Sequence, residues 1–295
     1  MQKNISIIGV ASDYGASITG CDKGADSIRD AGLILNLKAF DANINDLGNI
    51  CPAVPAPHVA SAPPDNLKNL NAVNDVNSQL YKAIDTILKN GCFPLVLGGD
   101  HSLSAGSVTA MQQHYGNIGV IWVDAHGDFN NAESSPSGNI HGMSFSAATT
   151  GQPKEILPFA SAYLPVNPQN CVLLGARDID NIESVRLKEA GITVIEMPEA
   201  LADTTAAIEK AIRIAGNTTN GIYLSFDLDS LDPSIAPAVG TPVSNGITKT
   251  AAMSLCTALK NSNKLIGAEF TELNPSKDKD NQTASLTVDL IKALF

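Results

Sequence analysis

Three short motifs concentrate carboxylates and imidazoles at spacings that could do chemistry. The run IGVIWVDAHGD, residues 118–128, is an apolar segment ending in Asp124, His126 and Asp128 at alternate positions. Side chains at i, i+2 and i+4 share one face of an extended chain, whereas on a helix the middle one would point away. The spacing therefore predicts three metal-capable groups converging at a strand end. SFDLDSLD, residues 225–232, repeats the arrangement, with Asp227 and Asp229 after the apolar residues 222–224. A third apolar run, residues 94–97, opens into Gly98, Gly99, Asp100, His101 and Ser102, where the glycines are expected to let the backbone turn tightly before a helix.

Four aspartates brought together in a protein interior raise one another's pKa and cannot all ionise without cations. Two divalent ions would neutralise Asp124, Asp128, Asp227 and Asp229. Hard oxygen and imidazole donors, with no cysteine nearby in sequence, favour Mn²⁺ over a zinc–thiolate or iron–sulfur site. A pair of such ions roughly 4 Å apart can hold a hydroxide at neutral pH. Read singly, GGDH is more often a helix cap beside a packed histidine. All three motifs on strand ends of one sheet point to a metal site. His58 and His114 have no partner pattern and read as ordinary histidines.

The elements that must position these groups are legible as alternating strands and helices. Apolar runs at residues 5–10, 93–97, 118–123, 171–174, 192–195, 222–226 and 265–270 read as buried strands. The clearest helix has Val73, Val76, Leu80, Ala83, Ile84 and Ile87 at three- and four-residue intervals, with Gly91 as its stop signal. Residues 103–115, 204–215, 249–261 and 281–294 carry further helical patterns. The alternation predicts a single α/β domain over residues 1–295, a three-layer α/β/α sandwich around a mostly parallel sheet. Residues 40–64, 127–142 and 152–170 read as irregular. Ligands of such sheets bind beyond the carboxyl ends of the strands, where the three motifs lie.

Composition narrows the function. The 295 residues carry a net charge of −11 without a basic cluster, which disfavours nucleic acid and suits a small cationic substrate. Five dispersed cysteines with no Cys-x-x-Cys pair read as reduced thiols. No apolar run reaches membrane-spanning length, and a cytoplasmic location is expected. Residues 15–20 have P-loop spacing, but Cys21 stands where lysine is required, and no G-x-S-x-G elbow occurs. Cys256 falls inside a helical pattern and reads as a small buried apolar residue.

GGDHS, DAHGD and SFDLDSLDP, in that order, resemble the three metal-binding signatures of the arginase, agmatinase and formiminoglutamase family. The resemblance runs from IIGVASDYG through KGADSIRDAGL to AEFTELNP, nearly the whole chain. It departs at Ala25, where many relatives have proline, and at Ser230, where many arginases have glycine. It implies two Mn²⁺ ions per subunit, one held by His101 and Asp128, the other by His126 and Asp229, with Asp124 and Asp227 bridging. It further implies attack of metal-bridging hydroxide on a guanidinium carbon, with Asp128 in the catalytic set. His141 would shuttle the proton to the leaving amine and Glu272 would hold the guanidinium.

The loop NNAESSPSGNIH, residues 130–141, is similar to that of arginases. The resemblance places Asn130, Ser137 and Asn139 at a substrate α-carboxylate, Asp180 and Glu183 at its α-amino group, and Thr241 in the substrate site. L-arginine, yielding L-ornithine and urea, is the expected substrate, with agmatine or another guanidino or formimino compound as the alternative. A non-catalytic, metal-stabilised assembly subunit is the competing class. Members of the family are commonly homotrimers or homohexamers.

Overall fold

The computed structural model describes residues 4–40, 43–53, 65–158 and 164–295. Eight strands form one sheet: β1 (Asn4–Val10), β2 (Asn43–Ile50), β3 (Phe93–Leu97), β4 (Gly119–Val123), β5 (Cys171–Ala176), β6 (Thr193–Glu196), β7 (Ile222–Asp227) and β8 (Leu265–Thr271). Their order is β2-β1-β3-β8-β7-β4-β5-β6, and every neighbouring pair is parallel. The chain leaves a gap of two strands between β3 and β4, which β7 and β8 fill last. The four central strands are therefore those that end in the sequence motifs.

Alternation along each strand sends side chains to two separate cores. Ile121 and Val123 of β4 join Leu95, Leu97, Leu224 and Phe226 on one face. Val120 and Trp122 join Val96, Tyr223 and Leu173 on the other. Helices α1 (Gly24–Asp30), α2 (Leu33–Lys38), α7 (Met197–Ala202), α8 (Thr204–Gly216), α9 (Lys249–Ser262) and α10 (Gln282–Ala293) cover the first face. α3 (Leu70–Lys89), α4 (Ser104–Tyr115), α5 (Ser144–Thr150) and α6 (Asn181–Ala190) lie on the second. This is the expected three-layer sandwich, with an all-parallel sheet.

α3 buries Val73, Val76, Leu80, Ile84 and Ile87 as a stripe and ends as expected, with Gly91 at φ +68 just beyond it. α4 carries no amphipathic stripe because its residues from Ser104 to Gln112 are all buried between α3 and the sheet. Asn77 of α3 donates from Nδ2 to Ser102 O at 3.0 Å and accepts from Gly106 N at Oδ1 at 2.8 Å, which fixes the turn carrying His101.

Several elements fall where the sequence reads as irregular or carries no assigned element. β2 lies within residues 40–64; its NINDLGNI is poor in β-formers and mostly exposed, and pairing with β1 is what makes it a strand. Residues 54–64 and 159–163 of the expected irregular stretches lie outside the described residues, and so does His58. α1, α2, α5, α6 and α7 are ten residues or shorter, too short for periodicity to stand out.

Candidate metal centre and substrate cavity

β3 delivers His101 through a turn whose glycines are required by close approach. A Cβ on Gly98 would lie 2.7 Å from Phe270 O, and one on Gly99 would collide with Ser12 O. Neither glycine has positive φ, so contact with β8 and the β1 loop, more than turn geometry, is the reason for them. Asp100 then caps the turn, its Oδ1 accepting from Ser102 N at 2.9 Å. His101 is completely buried. Its ring stacks on Trp122 with centroids 4.2 Å apart, its Nε2 lies 2.8 Å from Ser225 Oγ, and its N–H donates to Glu272 Oε1 at 2.8 Å.

β4 ends at Val123, and the three groups beyond it converge by a turn rather than along a continued strand. Asp124 Oδ1 accepts from His126 N at 2.8 Å, and Asp128 adopts φ +50. The same device follows β7, where Asp227 Oδ1 accepts from Asp229 N at 2.7 Å. Aspartate at a strand end thus caps the backbone two residues on and still has an oxygen left over.

The leftover atoms meet. His101 Nδ1 lies 3.1 Å from Asp124 Oδ2, 3.0 Å from Asp128 Oδ2 and 3.1 Å from Asp227 Oδ2. His126 Nδ1 lies 3.0 Å from Asp229 Oδ2 and 3.4 Å from Asp124 Oδ1. The two oxygens of Asp124 therefore face different histidines, and Trp122 Nε1 steadies the carboxylate by donating to Oδ2 at 3.0 Å. Asp227 turns Oδ2 to the cluster while Oδ1 accepts from Asp229 N–H, as Asp124 Oδ1 does from His126 N–H.

Two observations bear on whether cations fit here. His101, Asp124 and Asp128 form one set of possible ligand atoms, and Asp124, His126 and Asp229 a second. Among the described residues, His101 Nδ1 and Asp128 Oδ2 are buried without a hydrogen-bond partner, although they lie 3.0 Å apart. Lone pairs that converge without bonding to each other suit a cation between them. Burial, with the charge of Asp124, pushes Asp128 up to about 6. Burial and the neighbouring Asp229 and Asp124 hold Asp227 well above the usual carboxylate range. Burial opposes ionisation of Asp124 too, yet the imidazoles of His101 and His126 carry it well below that range. Divalent cations would offset this crowding of charge.

Beside the cluster lies a cavity of about 180 Å³, lined by His126, Asp128, Asp227 and Asp229 of the cluster and by Asn130, Ser137, His141, Asp180, Glu183 and Thr241. Thr241 Oγ1 donates to Asp229 Oδ2 at 2.9 Å. Glu183, which burial pushes up to about 7, accepts at Oε1 from Phe129 N at 2.7 Å and Asn130 Nδ2 at 3.2 Å. Asn139 and Glu272 do not line the cavity. A larger cleft of about 540 Å³, lined by Asp13, Asp22, Lys23 and Cys51 among others, contains no residue of the three metal-binding motifs.

Glu272 lies beneath His141, 1% exposed and at φ +67. Its Oε1 contacts His141 Nδ1 at 3.0 Å, and Cys21 Sγ reaches its Oε2 at 3.4 Å. Burial alone would lower the His141 pKa, but the hydrogen bond and charge of Glu272 raise it to about 9. Trp122, Ser225, Cys21 and Arg177 were not singled out as site residues by sequence; of these, Trp122 and Ser225 carry a signal, their alternate spacing to Asp124 and Asp227. All five cysteines are free, as expected, and Cys256 is buried in α9.

Fold and site together place the chain in a class of α/β proteins that set histidines and carboxylates, able to hold divalent cations, at the carboxyl edge of a parallel sheet. The model of the family described as Arginase family matches residues 3–295. An arginase of Bacillus caldovelox is 42% identical over 295 residues, covering 99% of this chain and 98% of the relative. Solved structures of arginases from Bacillus caldovelox and Bacillus cereus superpose with TM-scores of 0.94 and 0.93, at 42% and 40% identity, each covering 100% of this chain and 98% of the other. The chain belongs to the arginase family, and it is a hydrolase acting on the guanidino group.

Proposed function

We propose that this enzyme hydrolyses L-arginine to L-ornithine and urea with two Mn²⁺ ions. The observation that carries the metal part is Asp124, whose two oxygens face the two histidines separately. Asp128 would join His101 at one ion and Asp229 would join His126 at the other, with Asp124 and Asp227 shared between them. When bound, the cations would supply electrophilic activation and a water nucleophile usable at neutral pH.

The protein's own groups supply the rest. The carboxylates that line the cavity draw a cationic guanidinium to it and hold it by charge. His141 keeps Nδ1 on Glu272, which leaves Nε2 to deliver a proton to the departing amine. Raised to about 9, His141 carries that proton at neutral pH. Glu272 Oε1 is engaged by His141 and His101 N–H and Oε2 by the Cys21 thiol, so its part in this structure is to hold His141, and contact with the guanidinium would require Oε2 to exchange the thiol for the substrate.

Preference for arginine over agmatine rests on the cavity lining, where Asn130 and Ser137 offer polar donors and Asp180 and Glu183 offer carboxyl groups. An α-carboxylate is costly to desolvate without donors. Comparing kcat/KM for arginine and agmatine with Mn²⁺ supplied, in the parent and in Asn130→Ala and Ser137→Ala, tests this. Each variant should penalise arginine selectively, by about 1 to 3 kcal/mol per lost contact. A parent that prefers agmatine overturns the substrate assignment. Homotrimeric or homohexameric assembly in the cytoplasm belongs to the same proposal. Sedimentation checks the assembly. Among the described residues no helix is long and apolar enough to cross a membrane.

A further inference from the structure

The loop carrying Asn130, Ser137 and Asn139 is fastened by two segments that the proposed chemistry does not use. From residues 66–69, Asn66 Nδ2 donates to Ala132 O at 2.7 Å and Ser135 O at 2.8 Å, and Lys68 N donates to Gly138 O at 2.9 Å. From the turn after β1, Gly15 O accepts from His141 N at 3.1 Å, and Ser17 Oγ lies 2.8 Å from Asn139 Oδ1.

Lys68 is unusual for its type. It is 7% exposed, and among the described residues its ammonium finds no carboxylate, only Ser17 Oγ at 3.3 Å. A lysine so covered is normally paired with an anion. The backbone bond to Gly138 and the two bonds from Asn66 already fasten the loop, so the ammonium is not needed for that.

The polarity of the chain Lys68, Ser17, Asn139 is biased from its start. An ammonium can only donate, so Ser17 Oγ accepts from Lys68 with one of its two lone pairs, and its single proton is turned to Asn139 Oδ1. With its carbonyl oxygen offered to Ser17, Asn139 has its Nδ2 donors on the opposite side. Lys68 takes up acceptor capacity that the hydroxyl would otherwise offer to Nδ2, so its loss favours the flipped amide.

We propose that Lys68 and Ser17 are specificity-determining residues, which orient the Asn139 amide so that its Nδ2 receives the α-carboxylate of an amino-acid substrate. This inference rests on the proposed arginine reading and on the resemblance that puts Asn139, just outside the cavity lining, at the α-carboxylate. Both are positioning residues, and they act through Asn139.

The test is competitive inhibition of the Mn²⁺-loaded enzyme by L-ornithine and by putrescine, its analogue without the carboxylate, in the parent and in Lys68→Met, Ser17→Ala, Ser17→Thr and Asn139→Ala. Lys68→Met and Ser17→Ala should each raise the ornithine Ki by about 5- to 10-fold, the worth of one hydrogen bond. The putrescine Ki and kcat should stay at parent values, and Ser17→Thr, which keeps the hydroxyl, should behave as the parent. A parallel rise for both inhibitors would mean that the segment is only a scaffold, and would overturn the proposal. So would a selective loss in Asn139→Ala with none in Lys68→Met or Ser17→Ala. If Asn139→Ala itself shows no selectivity, the underlying reading of the carboxylate subsite fails and takes this inference with it. Ser17→Ala, on an exposed side chain, keeps the test open should Lys68→Met not fold.

Discussion

His141 and Glu272 show how one contact divides labour between two side chains. Glu272 is buried and holds Nδ1, which leaves Nε2 of a partly exposed imidazole facing the chemistry. Replacing His141 by Asn should lower kcat by about 10²- to 10⁴-fold, the usual worth of a general acid or base. Bound manganese, measured by elemental analysis, should stay at two per subunit, since His141 is not in either ligand set. Unchanged turnover would refute the proton-transfer role. The residue types at this site were legible in the motifs, because few side chains bind metals or move protons. What the spacing did not reveal is that Asp124 and Asp227 are caps as well as candidate ligands.

At the scale of elements, the loop after β7 depends on a residue from β5's end. The Arg177 guanidinium donates to the carbonyls of Asp229 and Val243 at 2.8 Å and of Gly175, Ser230 and Ser244 at 3.1 Å. It thereby ties the turn bearing Asp229 to the segment that follows Thr241. Arg177→Lys keeps the charge but loses the planar fork, and one ammonium cannot span these acceptors. Stability should fall by about 1 to 3 kcal/mol, read as a lower urea midpoint with unchanged slope. An unmoved midpoint would show that the loop holds itself. Long or fully apolar elements were legible, β4 and α3 among them. β2 and the short helices were not, because their hydrogen bonds and burial come from neighbours distant in sequence.

At the scale of the molecule, the site should couple metal binding to stability. Four aspartates at the ends of β4 and β7 are buried against one another, and cations that bind only the folded chain stabilise it by mass action. At a hundredfold excess over Kd the gain is about 2.7 kcal/mol, or roughly 4 °C in Tm for a protein of this size. Exhaustive chelation should lower Tm by about that much, and re-added Mn²⁺ should restore it. In Asp124→Asn, which removes the carboxylate facing both histidines, Tm should respond to neither treatment. A parent Tm indifferent to chelator would argue against a metal centre.

The sequence alone determined the alternation of elements, the parallel sheet and the identity of the groups at its carboxyl edge, because apolar periodicity and metal-capable residue types are local properties of the chain. It also contained the arginase signatures, which a local reading can match. Only the tertiary structure decided that β7 and β8 fill the gap between β3 and β4, and so that motifs up to 128 residues apart in the chain, His101 to Asp229, share one site. It likewise decided that Glu272 holds His141, that Arg177 ties the Asp229 turn, and that Lys68 reaches Asn139 through Ser17. These contacts join residues whose types are common and whose spacing carries no period, so burial and direction, which exist only once the chain has folded, are what give them meaning.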